Sequence, residues 1–387
     1  MKKSVKILLT VSVLLILIGS AMMAGAWLAM ANRPSEEMAA IEFVENTHTI
    51  TENFSDIIIN TQSSSIEILH SPDGVCRIVC DDSEKLYHKV SFQKSDAGTV
   101  LYIAQHSELQ WYETLWGFHW QEDPVLSVYL PKSEYGVVDA ASGSGDISIA
   151  PDFCFTTLST SAISGNTKLS ELCTENLQAY SSSGDISIQT LHVEDSIYLE
   201  NVSGFTRAED VSATQITTSA SSGDTVLEGV SSDYLHATAV SGEIRVMGGT
   251  FRDTSYFETS SGSIEISDSE CGELTVQTVS GSVTLQNVRG TSLNAGTSSG
   301  DVSLWDTLYS GNVLCHTTSG AVQFTGLDGE NLEFITSSGD VSGNLLSAKN
   351  FITETSSGYV SVPPSDETAG TCHISTVSGS INIAIKP

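Results

Sequence analysis

From Val138 onward, apolar and polar residues alternate in short runs that stop and restart at a Ser-Gly pair. The glycine of that pair stands at 145, 165, 184, 204, 223, 242, 262, 281, 300, 320, 339, 358 and 379, with steps of 19–21 residues. Two positions after it the residue is always β-branched, from Ile147 and Thr167 to Val360 and Ile381. Seven positions before it the column is apolar, with Ser255 the exception. The last seven repeats all place Thr three positions before it. Period-two alternation with β-branched residues is the signature of a strand with one buried face. A fixed period near 20 residues is that of a solenoid, whose units bury their apolar faces only by stacking.

Alternation runs inward at −7, −5, −3 and −1 and resumes at +2 and +4, so it slips once across Ser-Gly. The slip reads as a corner: the serine is expected to point inward and the glycine to permit the bend. The predicted fold is all-β, a parallel β-solenoid (β-helix) of about 13 rungs of 19–20 residues over 141–387. At about 4.8 Å per rung, this is a rod roughly 60 Å long. Odd rungs tend to read SSGD (Asp185, Asp224, Asp301, Asp340) and several even ones VSG, a super-period of about 39 residues. That pattern leaves open whether a coil holds one corner or two.

Residues 40–140 lack the Ser-Gly period but contain alternating segments (DIIINT, SSSIEIL, GVCRIVC, TVLYIAQ, PVLSVYL) and are expected to cap the stack. Within them SELQWYETLWGFHW, 107–120, concentrates Trp111, Tyr112, Trp116, Phe118 and Trp120. Three readings stand: packing over the end of the core, an exposed aromatic loop contacting a glycan, peptide or lipid surface, or an oligomer contact.

Before the strands, a basic tail (1–6) precedes Ile7–Ala31, which carries no charge. This is long enough to cross a bilayer, and the lysines before it place the N-terminus in the cytoplasm. A retained signal-anchor helix at 7–31, with a linker at 32–39, is the expectation. Cleavage after Ala31 is the alternative, in which case the chain is secreted. Either way the remainder is extracytoplasmic.

Charge narrows the partners. The chain has 16 Lys+Arg and 47 Asp+Glu; Lys2, Lys3, Lys6 and Arg33 precede the first acid, which leaves a formal −35 beyond them. Such a surface repels nucleic acid and attracts cations. The seven cysteines form no CxxC. Cys315 and Cys372 fall in core columns, and Cys154 and Cys173, 19 apart, would stack on neighbouring rungs within disulfide range.

The rungs TSSGDVSL and TVSGSVTL, preceded by PVLSVYLPKSEYGVVDAASGSGDISI, resemble the bacterial putative-adhesin β-strand-repeat family, domain-of-unknown-function family 4097, over about residues 40–387. The resemblance implies a β-solenoid on the bacterial envelope, and for some relatives a place in systems that respond to envelope stress and cationic antimicrobial peptides. It supplies no catalytic residues, and the tryptophan-rich insert does not match its pattern.

Chemistry-bearing motifs are scarce. The nine histidines show no HxH or HExxH, and no GxSxG or phosphate loop occurs, so no catalytic, cofactor or metal residues are expected. Arg245 and Arg252 are the nearest basic pair in the repeats and read as solvated charge. Asp146, Asp185 and Asp224 stand two rungs apart, about 10 Å, too far to share one Ca²⁺. The expected function is a non-enzymatic, membrane-anchored envelope scaffold or adhesin whose partners are an envelope glycan, a protein or a cationic peptide. An envelope-stress component that captures cationic peptides is the alternative, and a carbohydrate-active β-helix enzyme the third reading.

Overall fold

The computed structural model describes residues 42–95, 98–108 and 124–386. The helix expected at 7–31 lies outside them, and no described helix is long and apolar enough to cross a membrane. The described chain is an all-β parallel solenoid. Each turn holds one corner: Leu158 pairs with Leu177, Leu177 with Ile197 and Ile197 with Ile216, one period apart. The 39-residue super-period is therefore not a two-corner coil.

A typical rung has a long strand such as Cys154–Ala162, the Ser-Gly corner, and a short strand such as Thr167–Ser170. A second bend follows at a left-handed residue. Asp152, Glu171, Thr190, Asp210, Asp268, Asn287 and Asp306 have φ of 50–64°, and Gly229, Gly248 and Gly326 take the same place. Asp, Asn and Gly tolerate that conformation best, which explains a column otherwise without chemical unity. The apolar columns form one continuous core from Ile57 to Ile383. Cys315 and Cys372 are fully buried in it.

The corner differs from expectation. Ser261, Ser280, Ser299, Ser319 and Ser338 are exposed, and the glycine after each is buried. The alternation slips between −3 and the glycine, not after −1. A Cβ on Gly281 would lie 1.8 Å from the carbonyl oxygen of Gly262, and one on Gly300 1.9 Å from that of Gly281. Glycine is required because the backbone of the preceding rung occupies the side-chain position. The Thr three positions earlier completes the corner: Thr297 Oγ1 donates to Gly281 O (2.9 Å) and accepts from Gly300 N–H (3.1 Å). Thr278, Thr317, Thr336 and Thr376 repeat both bonds. The Asp after the glycine reaches the next rung as well, for Asp301 Oδ1 accepts from Ala321 N–H (2.8 Å) and Asp185 Oδ1 from Phe205 N–H (2.8 Å).

At both ends the spatial order departs from the sequence order. Strand Asp56–Thr61 lies between Gly98–Ser107 and Glu134–Ser142, so the stack begins two rungs before the first Ser-Gly glycine. At the far end, Thr371–Thr376 lies between Asn331–Ile335 and Asn350–Thr355. Antiparallel strands Val44–Ile50, Cys76–Asp82 and Leu86–Ser95 flank the first rungs.

Candidate functional site

Two outward surfaces on neighbouring sides of the same rungs carry chemistry. The first is an axial groove. Its floor is a single register column, Glu134, Cys154, Cys173, His192, Ser212, Ser231 and Thr250, each paired with the next. The column ends where the long strands bulge. Register shifts fall between Thr174 and Asn176, His192 and Ser196, Ser232 and Tyr234, and Phe251 and Thr254. A bulge bends the strand and turns its extra residue outward. Here it raises Glu175, Glu194, Asp233 and Arg252 as a rim, enclosing two contiguous clefts of about 250 and 240 Å³ that share His192 and Glu194.

The floor is pinned. Cys154 and Cys173 are disulfide-bonded, with Cα atoms 4.6 Å apart, in line with their 19-residue spacing. His192 Nδ1 lies 2.8 Å from Ser212 Oγ. The sole base on the rim, Arg252, reaches Asp233 at 3.5 Å with a side chain 79% exposed, a contact that water screens almost completely. Arg245 lies elsewhere, tied to Glu243 (3.0 Å) and Glu265 (3.1 Å). The two arginines therefore do not meet in one site.

The second surface is the outward face of the same strands beyond the bulge. Tyr198, Thr217, His236 and Tyr256 form one register column. Tyr198 donates to Glu200 and Tyr256 to Glu258, both at 2.8 Å, and the His236 ring meets the Tyr256 ring edge-on at 5.0 Å. The Glu200 carboxylate holds the Tyr198 phenol above its ordinary range. Rings fixed at the phenolic end leave a flat apolar face with polar edges, the surface on which sugar rings stack.

The residues singled out in sequence, Trp111, Tyr112, Trp116, Phe118 and Trp120, lie outside the described residues. Neither described surface was anticipated. Both are columns of the repeat, at −6 for the aromatics and near −11 for the groove floor, and reading outward columns with the care given to inward ones would have exposed them.

The family model Toastrack DUF4097 matches residues 54–287, 251–325 and 268–387. The chain belongs to this Toastrack family. Three solved structures are similar to this Toastrack chain. A putative cell adhesion protein from Clostridium sporogenes ATCC 15579 is 8% identical, with 89% of this chain and 100% of that chain covered and a TM-score of 0.20. A putative adhesin from Bacteroides fragilis NCTC 9343 is 12% identical over 66% of this chain and 95% of that one, TM-score 0.28. A putative adhesin from Parabacteroides merdae ATCC 43184 is 10% identical over 89% and 96%, TM-score 0.25. No curated protein matches the chain.

Proposed function

We propose that this Toastrack chain is a non-enzymatic envelope protein, anchored in the cytoplasmic membrane by residues 7–31. Its solenoid is an adhesin-like scaffold that presents an acidic, repetitive surface outside the cytoplasm. The observation that carries the reading is the groove beside the tyrosine column. Both are built from one residue per rung on a backbone that repeats without interruption, so their spacing is fixed by the stack. A ligand with its own repeat, an envelope glycan above all, meets contacts evenly spaced along successive rungs, with Tyr198 and Tyr256 three rungs apart. The bulge carboxylates Glu175, Glu194 and Asp233 favour a second reading, capture of cationic peptides.

Binding of the full chain to isolated envelope glycan, compared between the parent, Tyr198→Ser/Tyr256→Ser and Glu175→Gln/Glu194→Gln/Asp233→Asn, tests the proposal. Loss in the tyrosine variant with retention in the charge variant supports glycan stacking. No glycan binding by the parent contradicts it. Recovery of the chain in the membrane fraction, resistant to salt extraction, is the expectation for the anchor.

A further inference from the structure

Outside these surfaces, the strands flanking the first rungs hold a buried cluster that the scaffold reading does not use. Cys80 and Asp82 lie on the inward face of strand Cys76–Asp82, two residues apart, and His88 lies on the inward face of Leu86–Ser95. A tight turn joins the strands: Ser83 N–H donates to Leu86 O at 2.6 Å, and Ser83 Oγ accepts from Leu86 N–H at 3.0 Å. It returns His88 over Asp82. The Cys80 sulfur, a carboxylate oxygen of Asp82 and a ring nitrogen of His88 all lie within 4.8 Å of one another. Cys80 is 0% exposed and the His88 side chain 0%.

The hydrogen bonding around this cluster is uneven. Asp82 Oδ1 faces His88 Nδ1 (2.7 Å) and accepts from the His88 N–H (2.9 Å), while Oδ2 accepts from Asn46 Nδ2 (3.0 Å). His88 Nε2 is buried with no partner. That orphan lies on the far side of the ring from Asp82, so the nitrogen able to share an ion with the carboxylate is Nδ1. In the metal-free protein burial, with the nearby charges of Asp82 and Asp81, pushes the Cys80 thiol up to about 12.

We propose that Cys80, Asp82 and His88 form a binding site for a borderline divalent transition-metal ion of the zinc type. The donor set makes the choice. Sulfur argues against Mg²⁺ and Ca²⁺, while carboxylate and imidazole beside it fit Zn²⁺ better than the softest ions. With bonds of about 2.3 Å to sulfur and about 2.0–2.1 Å to nitrogen or oxygen, tetrahedral ligand atoms lie roughly 3.5 Å apart, so the Nδ1–Oδ1 separation of 2.7 Å opens as the ion enters and the sulfur, within 4.8 Å of both, completes the set. Charge balances, since a thiolate, a carboxylate and a neutral imidazole match a divalent cation. Binding expels the Cys80 proton to solvent and tightens as pH rises. Asn46 and the His88 N–H fix the carboxylate as outer-shell partners. Three protein ligands leave a fourth position for water. An open cleft of about 410 Å³, lined by His48, His88, Tyr102 and His106 among others, borders His88. The site ties the flanking strands together where the parallel ladder stops.

The test is a titration of the chelator-treated full chain with Co²⁺, then with Zn²⁺. The expected result is one equivalent of Co²⁺ with a sulfur-to-cobalt charge-transfer band and intense tetrahedral visible absorption, both abolished by Zn²⁺. Cys80→Ser removes the charge-transfer band. Asn46→Ala, which leaves all three ligands in place, keeps the band and weakens affinity about 10–100-fold. No charge-transfer band in the parent overturns the proposal, as does a band that persists in Cys80→Ser, because the other thiols would then be its source. Should Cys80→Ser fail to fold, His88→Gln gives the same decision: tetrahedral absorption unchanged in that variant overturns the site.

Discussion

Between Gly165 and Gly339 each rung is held by its neighbour's backbone, with a carbonyl oxygen where the glycine side chain would be and, in the later rungs, a threonine bonded to the glycines on either side. At the ends single side chains finish the packing, at the same corner in the first rungs and at another bend near the last. In the rung Asp56–His70 the glycine position is Ser64, and Gln105 does the work. Its Oε1 accepts from Gln62 N–H (2.7 Å) and Ser63 N–H (2.9 Å), and its Nε2 donates to Ser64 Oγ (2.6 Å). Near the other end, Lys349 is 5% exposed and donates to Gly329 O (2.6 Å) while pairing with Asp328 (2.9 Å). A repeat satisfies its interior by copying one solution. An end has no copy on one side and needs a residue of its own.

The largest expected contrast is steric. Gly281→Ala drives a methyl into Gly262 O, with rungs fixed on both sides, and is expected to destabilise by more than about 3 kcal/mol in chemical denaturation. Gly358→Ala meets the same clash with Gly379 O, but among the described residues the 350–361 rung has no further parallel rung beyond it and can shift outward, so its cost is expected to be well under half. Equal losses at the two positions would break the distinction.

Gln105→Ala comes next. It strands two amide N–H groups and is expected to cost about 2–3 kcal/mol, read from the same unfolding curves. At the opposite end, Asp328→Asn leaves the Lys349 ammonium buried without its counter-charge. About 2 kcal/mol is expected, less than for a fully buried pair, because the Asp328 side chain is 31% exposed. This pair also sets a pH dependence. Burial pushes the Asp328 carboxyl up, but the bonds from Lys349, Ser347 and the Gly329 N–H outweigh it and hold the carboxyl below its ordinary range. The contribution is therefore complete above the ordinary carboxylate range of about 4 and lost as pH falls through the lowered folded value. Asp328→Asn should flatten the acid limb of stability against pH.

The smallest effect has the opposite sign and lies inside the stack. Ser255 interrupts the apolar −7 column, and its hydroxyl is buried with no partner. Ser255→Ala is expected to stabilise by about 1 kcal/mol. A loss of stability would mean that this hydroxyl is bonded in solution.

The same contrast explains what could be read from the sequence. The interior was legible because every inward column is written thirteen times, so one anomalous Ser255 could not hide the pattern. The corner was misread by one position, since Ser and Gly are both small and alternation alone does not say which faces inward; the Gly-to-Gly contact across rungs decides it. The first rungs gave no Ser-Gly signal for a physical reason. Ser64 has Gln105 and not another corner against it, so nothing there demands glycine. The exchanged order at the ends lies in long-range pairing that no local pattern encodes. Cys80, Asp82 and His88 escaped notice because they have no repeat to amplify them and a spacing that matches no metal motif. Their proximity comes from one turn at Ser83.

The scaffold reading is tested most directly by calorimetric titration of the full chain with a cationic antimicrobial peptide, at low salt and at about 150 mM, where the Debye length is about 8 Å. If the carboxylates at Glu175, Glu194 and Asp233 are a solvated presenting surface, heat appears only at low salt and disappears at physiological ionic strength. Tight binding that survives 150 mM salt and is lost in Glu175→Gln/Glu194→Gln/Asp233→Asn would contradict the account and make the groove a peptide-capture site.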